Sequence, residues 1–275
     1  MILHFYKMNG AGNDFIVVDN RDLSLSAALD GETIEALCDR HRGIGADGLL
    51  AVEPAQGSGD FRFRYYNADG GEAEMCGNGA RCFGRFAAHL GEAPVERVTF
   101  ETIAGLLTAE MVAENVRIEM SEPKELRMAT GAEVSGLTEP VHFINTGVPH
   151  AVAFLASPEE LVDFDVFAAG RCIRQHEAFA PAGTNANFAA VLAPGHIEIR
   201  TYERGVEDET LACGTGMVAC ALVHHLLTGA PSPVKVEVAG GDTLEIGFEP
   251  AGPGGFRKVT LTGPADFVFE GDIEI

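Results

Sequence analysis

Short apolar segments with a period of two, separated by turns rich in glycine, asparagine and aspartate, dominate the hydrophobic pattern of the chain. Such alternation is typical of β-strands with one buried face. It predicts strands at residues 2–8, 15–19, 49–52, 61–66, 98–103, 106–111, 116–120, 141–144, 151–155, 188–192, 196–202, 234–238, 243–248, 259–262 and 267–269. The chain is therefore predicted to consist largely of strands.

Two longer runs of small and apolar residues, which contain no proline, predict helices at residues 80–90 and 217–227. Shorter helices are predicted at residues 33–39 and 163–173. Each long run follows the sequence Cys-Gly-x-Gly, at Cys76 and at Cys213, and each cysteine has a glutamate four residues before it. Half of the 275-residue chain separates the two cysteines. We therefore predict two related halves, each carrying one copy of the motif.

The predicted fold is α/β, in the α+β sense, with two pseudo-symmetric domains. Each domain is expected to be a curled, mostly antiparallel sheet around a central helix. A polar segment at residues 121–136 marks the change of domain. The first domain is predicted to comprise residues 1–122 together with the tail 264–275, and the second domain residues 123–263. The last strand is accordingly expected to return to the sheet of the first domain.

The cysteine motif has a chemical meaning at the start of a helix. Glycines allow the chain to turn tightly into the helix. The first helical turn leaves N–H groups without partners and carries roughly half a positive charge. A thiol placed there can have its pKa lowered from ~8.5 to ~3.5–7.5, and the same N–H groups bind carboxylates. We interpret the two motifs as proton-transferring sulfurs that face each other across one bound carboxylate compound.

Composition and charge exclude several classes of function. The net charge is −22, with 19 basic and 41 acidic residues, which argues against nucleic acid or an anionic membrane as a partner. No apolar run approaches ~20 residues, so no membrane span is expected. The first residues lack the features of a signal peptide, which favours a cytoplasmic location.

Six cysteines occur without any Cys-x-x-Cys pair, so no zinc or other metal site is expected. In a reducing compartment the cysteines are predicted to be free thiols. Four of them are interpreted as small buried hydrophobic residues rather than as reactive groups. These are Cys38, Cys82, Cys172 and Cys220.

With these motifs identified, the chain resembles the diaminopimelate epimerase family nearly from end to end. The segments that carry the resemblance are Phe5-Tyr6-Lys7-Met8-Asn9-Gly10-Ala11-Gly12-Asn13-Asp14-Phe15, Gly43-Ile44-Gly45-Ala46-Asp47, Asn67-Ala68-Asp69-Gly70, Met75-Cys76-Gly77-Asn78-Gly79-Ala80-Arg81-Cys82, Gly183-Thr184-Asn185, Tyr202-Glu203-Arg204-Gly205 and Ala212-Cys213-Gly214-Thr215-Gly216. The resemblance implies that family's fold and a cofactor-free isomerase of lysine biosynthesis that interconverts LL- and meso-diaminopimelate. By analogy it also suggests a homodimer.

The resemblance also implies roles for individual residues. Cys76 and Cys213 match the catalytic acid/base pair. The positions that hold the reacting carboxylate are Gly77, Asn78, Gly214 and Thr215. The other positions that bind substrate are Asn13, Asn67, Asn185, Glu203 and Arg204. His150 and Glu203 match positions that tune the pKa values of the thiols.

Two positions depart from the family pattern. Val148 stands where many relatives have asparagine, and Gly48 stands where some relatives have glutamine. Two contacts to the distal end of the substrate are therefore expected to be missing or remade, and Asn145 is a candidate substitute. A lone asparagine in a loop is nevertheless usually a turn former.

Other functions remain open from the sequence. The main alternative is a proline or hydroxyproline racemase or epimerase, a class that shares the two-cysteine plan but usually has histidine at the position of Asn78. A second alternative is a non-catalytic amino-acid-binding protein, and a third is a thiolate metal protein. The two cysteine motifs argue against a binding protein, and the absent ligand spacing argues against a metal protein.

Overall fold

The computed structural model describes residues 1–91 and 95–275 and contains two compact units. The first unit comprises Met1–Glu119 and Gly263–Ile275, and the second unit comprises Met120–Thr262. The domain boundaries after residues 122 and 263 stay predictions. The chain passes from one compact unit to the other after Glu119 and again after Thr262.

The secondary structure is mainly β. The strands are β1 (Ile2–Gly10), β2 (Asn13–Asp19), β3 (Gly48–Pro54), β4 (Phe61–Asn67), β5 (Glu72–Ala73), β6 (Arg97–Thr102), β7 (Gly105–Val112), β8 (Asn115–Glu119), β9 (Lys124–Arg127), β10 (His142–Asn145), β11 (Pro149–Phe154), β12 (Asn185–Ala193), β13 (His196–Glu203), β14 (Asp208–Thr210), β15 (Val234–Val238), β16 (Thr243–Pro250), β17 (Phe256–Pro264) and β18 (Asp266–Glu274). The helices are α1 (Gly31–Cys38), α2 (Gly77–His89), α3 (Pro158–Asp163), α4 (Val166–Gln175) and α5 (Gly214–Thr228), and a short 3-10 helix spans Glu177–Phe179.

The same strand order occurs in both units. In the first unit β18, β1, β2, β3, β4, β6, β7 and β8 lie side by side, and only the pairs β2–β3 and β4–β6 are parallel among the described residues. In the second unit β9 to β13 are followed by β15, β16 and β17, with parallel pairs β11–β12 and β13–β15. Each unit also has one short antiparallel strand at the corresponding place. It is β5, which pairs with β4, in the first unit, and β14, which pairs with β13, in the second. The predicted fold class, two similar and mostly antiparallel sheets, is confirmed.

A buried helix follows the cysteine motif in each unit. Helix α2 packs against β1 to β4 and β6 to β8, so the first sheet curls around it. Phe83 and Phe86 on α2 are fully buried, and the ring of Phe83 lies 5.0 Å from that of Phe63 and 4.8 Å from that of Phe100. Burial of several aromatic rings in this way is a large stabilising contribution. The sheet therefore holds the helix start, with its cysteine, in a fixed place.

Helix α5 occupies the corresponding place in the second unit. It packs against β10 to β13, β15 and β16, and its residues 216–224 are buried. The helix ends at Gly229, whose φ of 74° is the left-handed conformation that glycine adopts readily at a helix C-terminus. Although α5 is apolar on all sides, the described part of the chain contains no helix that is long and apolar enough to cross a membrane.

The structure corrects the prediction of a single helix at residues 163–173. Two helices occupy this region, α3 and α4, and the chain leaves helical geometry at Phe164. Ser157 caps α3 with Pro158 in its first turn, and the side chain of Asp165 accepts the N–H of Ala168 at 2.9 Å to start α4. The sequence also gave no signal for β5, β9 and β14, which are only two to four residues long.

Replacing Gly84 in the middle of α2 should destabilise the protein. A Cβ atom at Gly84 would lie 2.4 Å from the Cβ atom of Ala109 on β7, so that Gly84→Ala forces the helix away from the sheet. Overpacking of this kind costs about 1–3 kcal/mol. Gly31→Ala is the matched control, because the nearest atom to its new Cβ is 3.7 Å away. Denaturant unfolding should show a lower midpoint for Gly84→Ala only; equal midpoints for the two variants would contradict this account of the packing.

Candidate active site

Cys76 is the residue immediately before α2. Its backbone is extended, with φ −134° and ψ 124°, and the N–H of Gly79 donates to its Sγ atom at 3.5 Å. The side chain is half-buried. A donor from the first helical turn favours the thiolate form of a cysteine. Cys76 therefore lies at the start of a helix whose first-turn N–H groups favour negative charge, and Gly77 is the first residue of that helix.

A chain of amide groups lies beside this helix start. Asn78, which is buried, donates from Nδ2 to Oδ1 of Asn13, and Asn13 donates from Nδ2 to Oδ2 of Asp47 at 2.9 Å. At the other end Arg81 donates to Oδ1 of Asn78 at 3.0 Å. A carboxylate only accepts and a guanidinium only donates, so these two groups fix the orientation of both amides. Asn13 and Asn78 are thus brought together, as expected for one binding site.

Arg81 was not assigned a role from the sequence, yet it organises this region. Its side chain is fully buried. Besides Asn78, it donates to the carbonyl oxygens of Gly10 and Pro264, both at 3.1 Å. These bonds fasten the first turn of α2 to the end of β1 and the end of β17. The available signal was the presence of an arginine in the first turn of a run of mainly small and apolar residues.

A second cluster of charged side chains contacts Asp47. Lys7 and Arg40 each lie 2.6 Å from Asp14, and Arg40 lies 2.7 Å from Asp47. Burial alone would raise the pKa of Asp14, but the hydrogen bonds from Arg40 and Lys7 outweigh it and lower that pKa to about 2. Asp14 is therefore a fixed negative charge at all physiological pH values.

Asn67 stands at the end of β4 with an exposed side chain. The hydroxyl group of Tyr65 donates to its Oδ1 atom at 2.7 Å, which turns the amide nitrogen outward. The adjacent departure from the family pattern has a steric cause. A Cβ atom at Gly48 would lie 2.4 Å from the carbonyl oxygen of Tyr66 and 2.9 Å from the ring of Tyr65. A side chain at position 48 would therefore require both the backbone at Tyr66 and the ring of Tyr65 to move.

Cys213 precedes α5 as Cys76 precedes α2. Its backbone is also extended, with φ −122° and ψ 107°, and its side chain is buried. The hydroxyl oxygen of Thr215 lies 3.7 Å from Sγ of Cys213 and 2.8 Å from Nε2 of His150. Burial, with the nearby charge of Arg204, lowers the pKa of His150 to about 3, so this imidazole is neutral. Cys213, Thr215 and His150 are thus brought together, with Gly214 between the first two.

The remaining predicted residues of the second unit lie around the end of β13. Asn185 is buried, donates to the carbonyl oxygen of Pro149 at 3.1 Å and accepts the backbone N–H of Arg204 at 2.8 Å. The Arg204 guanidinium donates to the carbonyl oxygen of Ala182 at 3.2 Å. Glu203 accepts the hydroxyl of Thr210 at 2.9 Å, and burial raises the pKa of its carboxyl group. Asn185 thus orders the backbone that carries Arg204.

Asn145, the candidate substitute for the missing asparagine at Val148, has a local role. Its Oδ1 atom accepts the N–H of Gly147 at 3.0 Å, and Gly147 has a φ of 115°. This is the behaviour of a turn-forming asparagine. Val148 is half-buried in the same turn.

The other cysteines differ from the two at the helix starts. Burial raises the pKa of Cys38 to about 11 and that of Cys82 to about 12, and it also raises that of Cys220. The interpretation of Cys172 as buried is wrong, since this residue of α4 is exposed, whereas Ala169 and Ile173 on the same helix are buried. The described residues include no cluster of His, Cys, Asp or Glu side chains arranged to hold a metal ion.

Comparison with known proteins gives the family. A model of the family described as diaminopimelate epimerase matches residues 5–126 and 142–268. The chain belongs to the diaminopimelate epimerase family. Among curated diaminopimelate epimerases, that of Hydrogenobaculum sp. (strain Y04AAS1) is 42% identical over 274 residues, which cover 96% of each chain. That of Aquifex aeolicus is 41% identical over 283 residues, covering 98% of this chain and 97% of its own. The family and the isomerase activity predicted from the sequence are confirmed.

Solved structures agree on the fold. A crystal structure of the Bacillus anthracis phenazine biosynthesis protein of the PhzF family superposes with a TM-score of 0.73, covering 100% of both chains at 15% sequence identity. At that identity the likeness shows the fold alone. The diaminopimelate epimerase family therefore shares its two-sheet architecture with proteins of distant sequence.

The charge cluster at Asp14 should make stability depend on pH. The pKa of Asp14 is about 2 in the folded protein and ordinarily 3.8, so its contribution is complete above about pH 4 and is lost as the pH falls toward 2. The shift corresponds to about 2 kcal/mol, and we expect about 1–2 kcal/mol because Arg40 is 55% exposed. Denaturant unfolding of Asp14→Asn should therefore show a deficit near neutral pH that shrinks in acid.

Asp19→Asn is the control for this measurement. Asp19 pairs with Arg21 at 2.7 Å on the surface, where an ion pair contributes little. The unfolding midpoint of the Asp19→Asn variant should match that of the unsubstituted protein at every pH. A deficit for Asp14→Asn that stays constant down to about pH 2 would contradict the linkage argument.

Proposed function

We propose that the chain interconverts LL- and meso-diaminopimelate without a cofactor, and that Cys76 and Cys213 are its acid/base pair. One observation carries the proposal. Each cysteine occupies the N-cap position of the buried helix at the same point in the strand order of its unit. Membership of the diaminopimelate epimerase family supports the choice of substrate.

In this mechanism one sulfur acts as a thiolate and the other as a thiol. The thiolate removes the proton from the α-carbon, so the C–H bond breaks and an S–H bond forms. The thiol delivers its proton to the opposite face of the same carbon and becomes a thiolate. The reverse reaction exchanges the two roles. Because like charges oppose double ionisation, the two sulfurs should titrate as a coupled pair.

The substrate carboxylate must stabilise the negative charge that develops at the α-carbon. We assign its binding to the helix starts, through Gly77 and Asn78 of α2 and through Gly214 and Thr215 of α5. Both helices present N–H groups and the positive end of a peptide dipole at these positions. Donors that are already in place before the reaction stabilise such charge without reorganisation.

The distal end of the substrate carries a second ammonium and a second carboxylate group. We assign its recognition to Asn13, Asn67, Asn185, Glu203 and Arg204. The guanidinium of Arg204 suits a carboxylate, and the amide nitrogen of Asn67 is turned outward by Tyr65. Asn185 contributes by holding the backbone of Arg204.

His150 and Glu203 are proposed to tune the thiols. The neutral imidazole of His150 reaches Cys213 through Thr215. Glu203 is assigned this role from its match to the family position, and burial raises the pKa of its carboxyl group. The mechanism also requires both thiols to stay reduced, which is why we propose a cytoplasmic location. The homodimer stays an expectation from the family resemblance.

Substitution of each cysteine tests the proposal. Pure LL-diaminopimelate, incubated in deuterated water with no added cofactor, should give the meso isomer with deuterium at the inverted carbon. Cys76→Ala and Cys213→Ala should each lower turnover by at least about 10²–10⁴-fold, because each removes an acid/base group. Cys220→Ala is the matched control, since this thiol lies on the helix that Cys213 precedes and is fully buried. Near-full turnover by Cys213→Ala would rule out the two-sulfur mechanism.

The alternative activity, racemisation of proline or hydroxyproline, is tested with the same preparations. Asn78 is bonded to Asn13 and Arg81, so the position where that class usually has histidine is built into an amide chain. We expect no inversion of L-proline or of trans-4-hydroxy-L-proline. Inversion of either compound at a rate similar to that of diaminopimelate would favour the alternative.

A further inference from the structure

Asn187 on β12 is a buried polar residue to which the proposed reaction gives no role. Its neighbours Ala186 and Phe188 point toward α4 and belong to a hydrophobic cluster with that helix. Since side chains alternate along a strand, Asn187 points to the opposite face, toward α5. A Cβ atom at Gly216 would lie 2.4 Å from its Oδ1 atom. Asn187 therefore lies directly against the helical turn that follows Cys213.

The hydrogen bonds of Asn187 fix the orientation of its amide. Its Nδ2 atom lies 2.8 Å from the carbonyl oxygen of Ala151 and 3.1 Å from Nδ1 of His150. Its Oδ1 atom accepts the hydroxyl of Thr201 at 3.0 Å. A backbone carbonyl only accepts, so the nitrogen must face Ala151. The second N–H of the same nitrogen then points at His150.

This orientation determines the tautomer of His150. An N–H group pointing at Nδ1 requires a lone pair on that atom, so Nδ1 carries no proton. The imidazole is fully buried and neutral, and its single proton must therefore be on Nε2. Nε2 donates to the hydroxyl oxygen of Thr215 at 2.8 Å. With its oxygen occupied as an acceptor, Thr215 can direct its own proton to Sγ of Cys213, 3.7 Å away.

We propose that Asn187 is a positioning residue that holds His150 in the Nε2-protonated tautomer, so that Thr215 donates a hydrogen bond to the thiolate of Cys213. The role of that thiolate in turnover rests on the function proposed above. The chain of bonds runs from Asn187 through His150 and Thr215 to Cys213, and every donor along it points toward the sulfur. Removal of Asn187 releases the imidazole to adopt either tautomer.

This chain of hydrogen bonds leads to Cys213. Near Cys76 the corresponding chain consists of Arg81, Asn78, Asn13 and Asp47, and it contains amides in place of the imidazole and hydroxyl. Other charged or titratable groups also act near Cys213. Arg204 opposes protonation of His150, Glu203 adjoins Arg204, and Cys220 on α5 interacts with Cys213. None of these groups is altered by a substitution at Asn187.

The tautomer can be observed directly in the unsubstituted full-length chain. Nitrogen-15 NMR of the labelled imidazoles distinguishes a protonated nitrogen from an unprotonated one, and His150→Gln identifies the signals of His150. We expect a protonated Nε2 and an unprotonated Nδ1 at neutral pH without any ligand. A proton on Nδ1 of His150 overturns the proposal, and this measurement does not depend on whether any variant folds.

Variants then test the effect on the sulfur. Asn187→Leu keeps the number and branching of the side-chain heavy atoms but lacks the amide, and Thr201→Val removes the partner of Oδ1 while leaving both Nδ2 bonds in place. The thiolate of Cys213 is titrated by ultraviolet absorbance, as the difference between each protein and the same protein with Cys213→Ala. Asn187→Leu should raise the pKa of Cys213 by about one unit, a roughly tenfold loss of thiolate at neutral pH, as for one lost hydrogen bond to a charged group. Thr201→Val should titrate like the unsubstituted protein.

Asn187→Asp provides the opposite test of the tautomer. A carboxyl group at this position accepts from Nδ1–H, so the NMR signals should show a proton on Nδ1 of His150. Retention of an unprotonated Nδ1 in Asn187→Asp at a pH where the introduced carboxyl group is ionised, or an unchanged titration of Cys213 in Asn187→Leu, contradicts the proposal.

The outcome is separable from that of the proposed function. Both measurements are made without substrate, so they report on the imidazole and the thiol even if the reaction is different. If the tautomer and the titration are as expected but Cys213→Ala still epimerises diaminopimelate, the proposed function fails and the positioning role of Asn187 stands.

Discussion

The donor groups at the start of a buried helix are the feature on which both units depend. Helices α1, α3 and α4 satisfy these N–H groups in the usual way, with the side-chain oxygens of Asp30, Ser157 and Asp165. Helices α2 and α5 have cysteine at the same position. Sulfur is a weak acceptor, so the first turns of these two helices retain more capacity to bind an anion. Apolar contacts with the curled sheets hold both helices in place and offset this weak capping. The helix starts thus keep N–H donors for an anion, at a cost in local stability.

The two cysteines share a backbone setting but differ in the side chains behind them. Beside α2 the amides of Asn78 and Asn13 lie between the buried Arg81, which donates to backbone carbonyl oxygens, and Asp47, which pairs with Arg40. Beside α5 a neutral imidazole and a hydroxyl take that place. A duplicated scaffold has therefore acquired two chemically distinct thiol environments. Such a difference suits a reaction in which one sulfur must be ionised while the other keeps its proton.

The sequence predicts the repeated architecture well because the relevant signals are local. Period-two alternation marks most strands, and proline-free apolar runs mark α2 and α5. The break between α3 and α4 was missed because one cap at Asp165 decides it within an otherwise helical segment. The strands β5, β9 and β14 were missed because so few residues become extended only through their pairing partners.

The site residues were predicted from the family motifs. The buried residues that hold those side chains in place were not predicted. Arg81 and Asn187 are polar residues whose burial depends on which face of a helix or strand meets the other elements. Periodicity alone does not say which polar residue will be enclosed. The same limitation explains Cys172, which was interpreted as buried from its residue type but lies on the outer side of α4.

The pairing of β18 with β1 joins two segments that are separated by the whole second unit, with Ile2 opposite Glu274. A ribosome releases β1 early and β18 only after residues 120–262 have emerged. The sheet around α2 thus lacks this strand throughout synthesis of the second unit. The first unit is therefore completed only by the last residues to be synthesised, and loss of the final strand would remove a pairing partner from the part of the molecule made earliest.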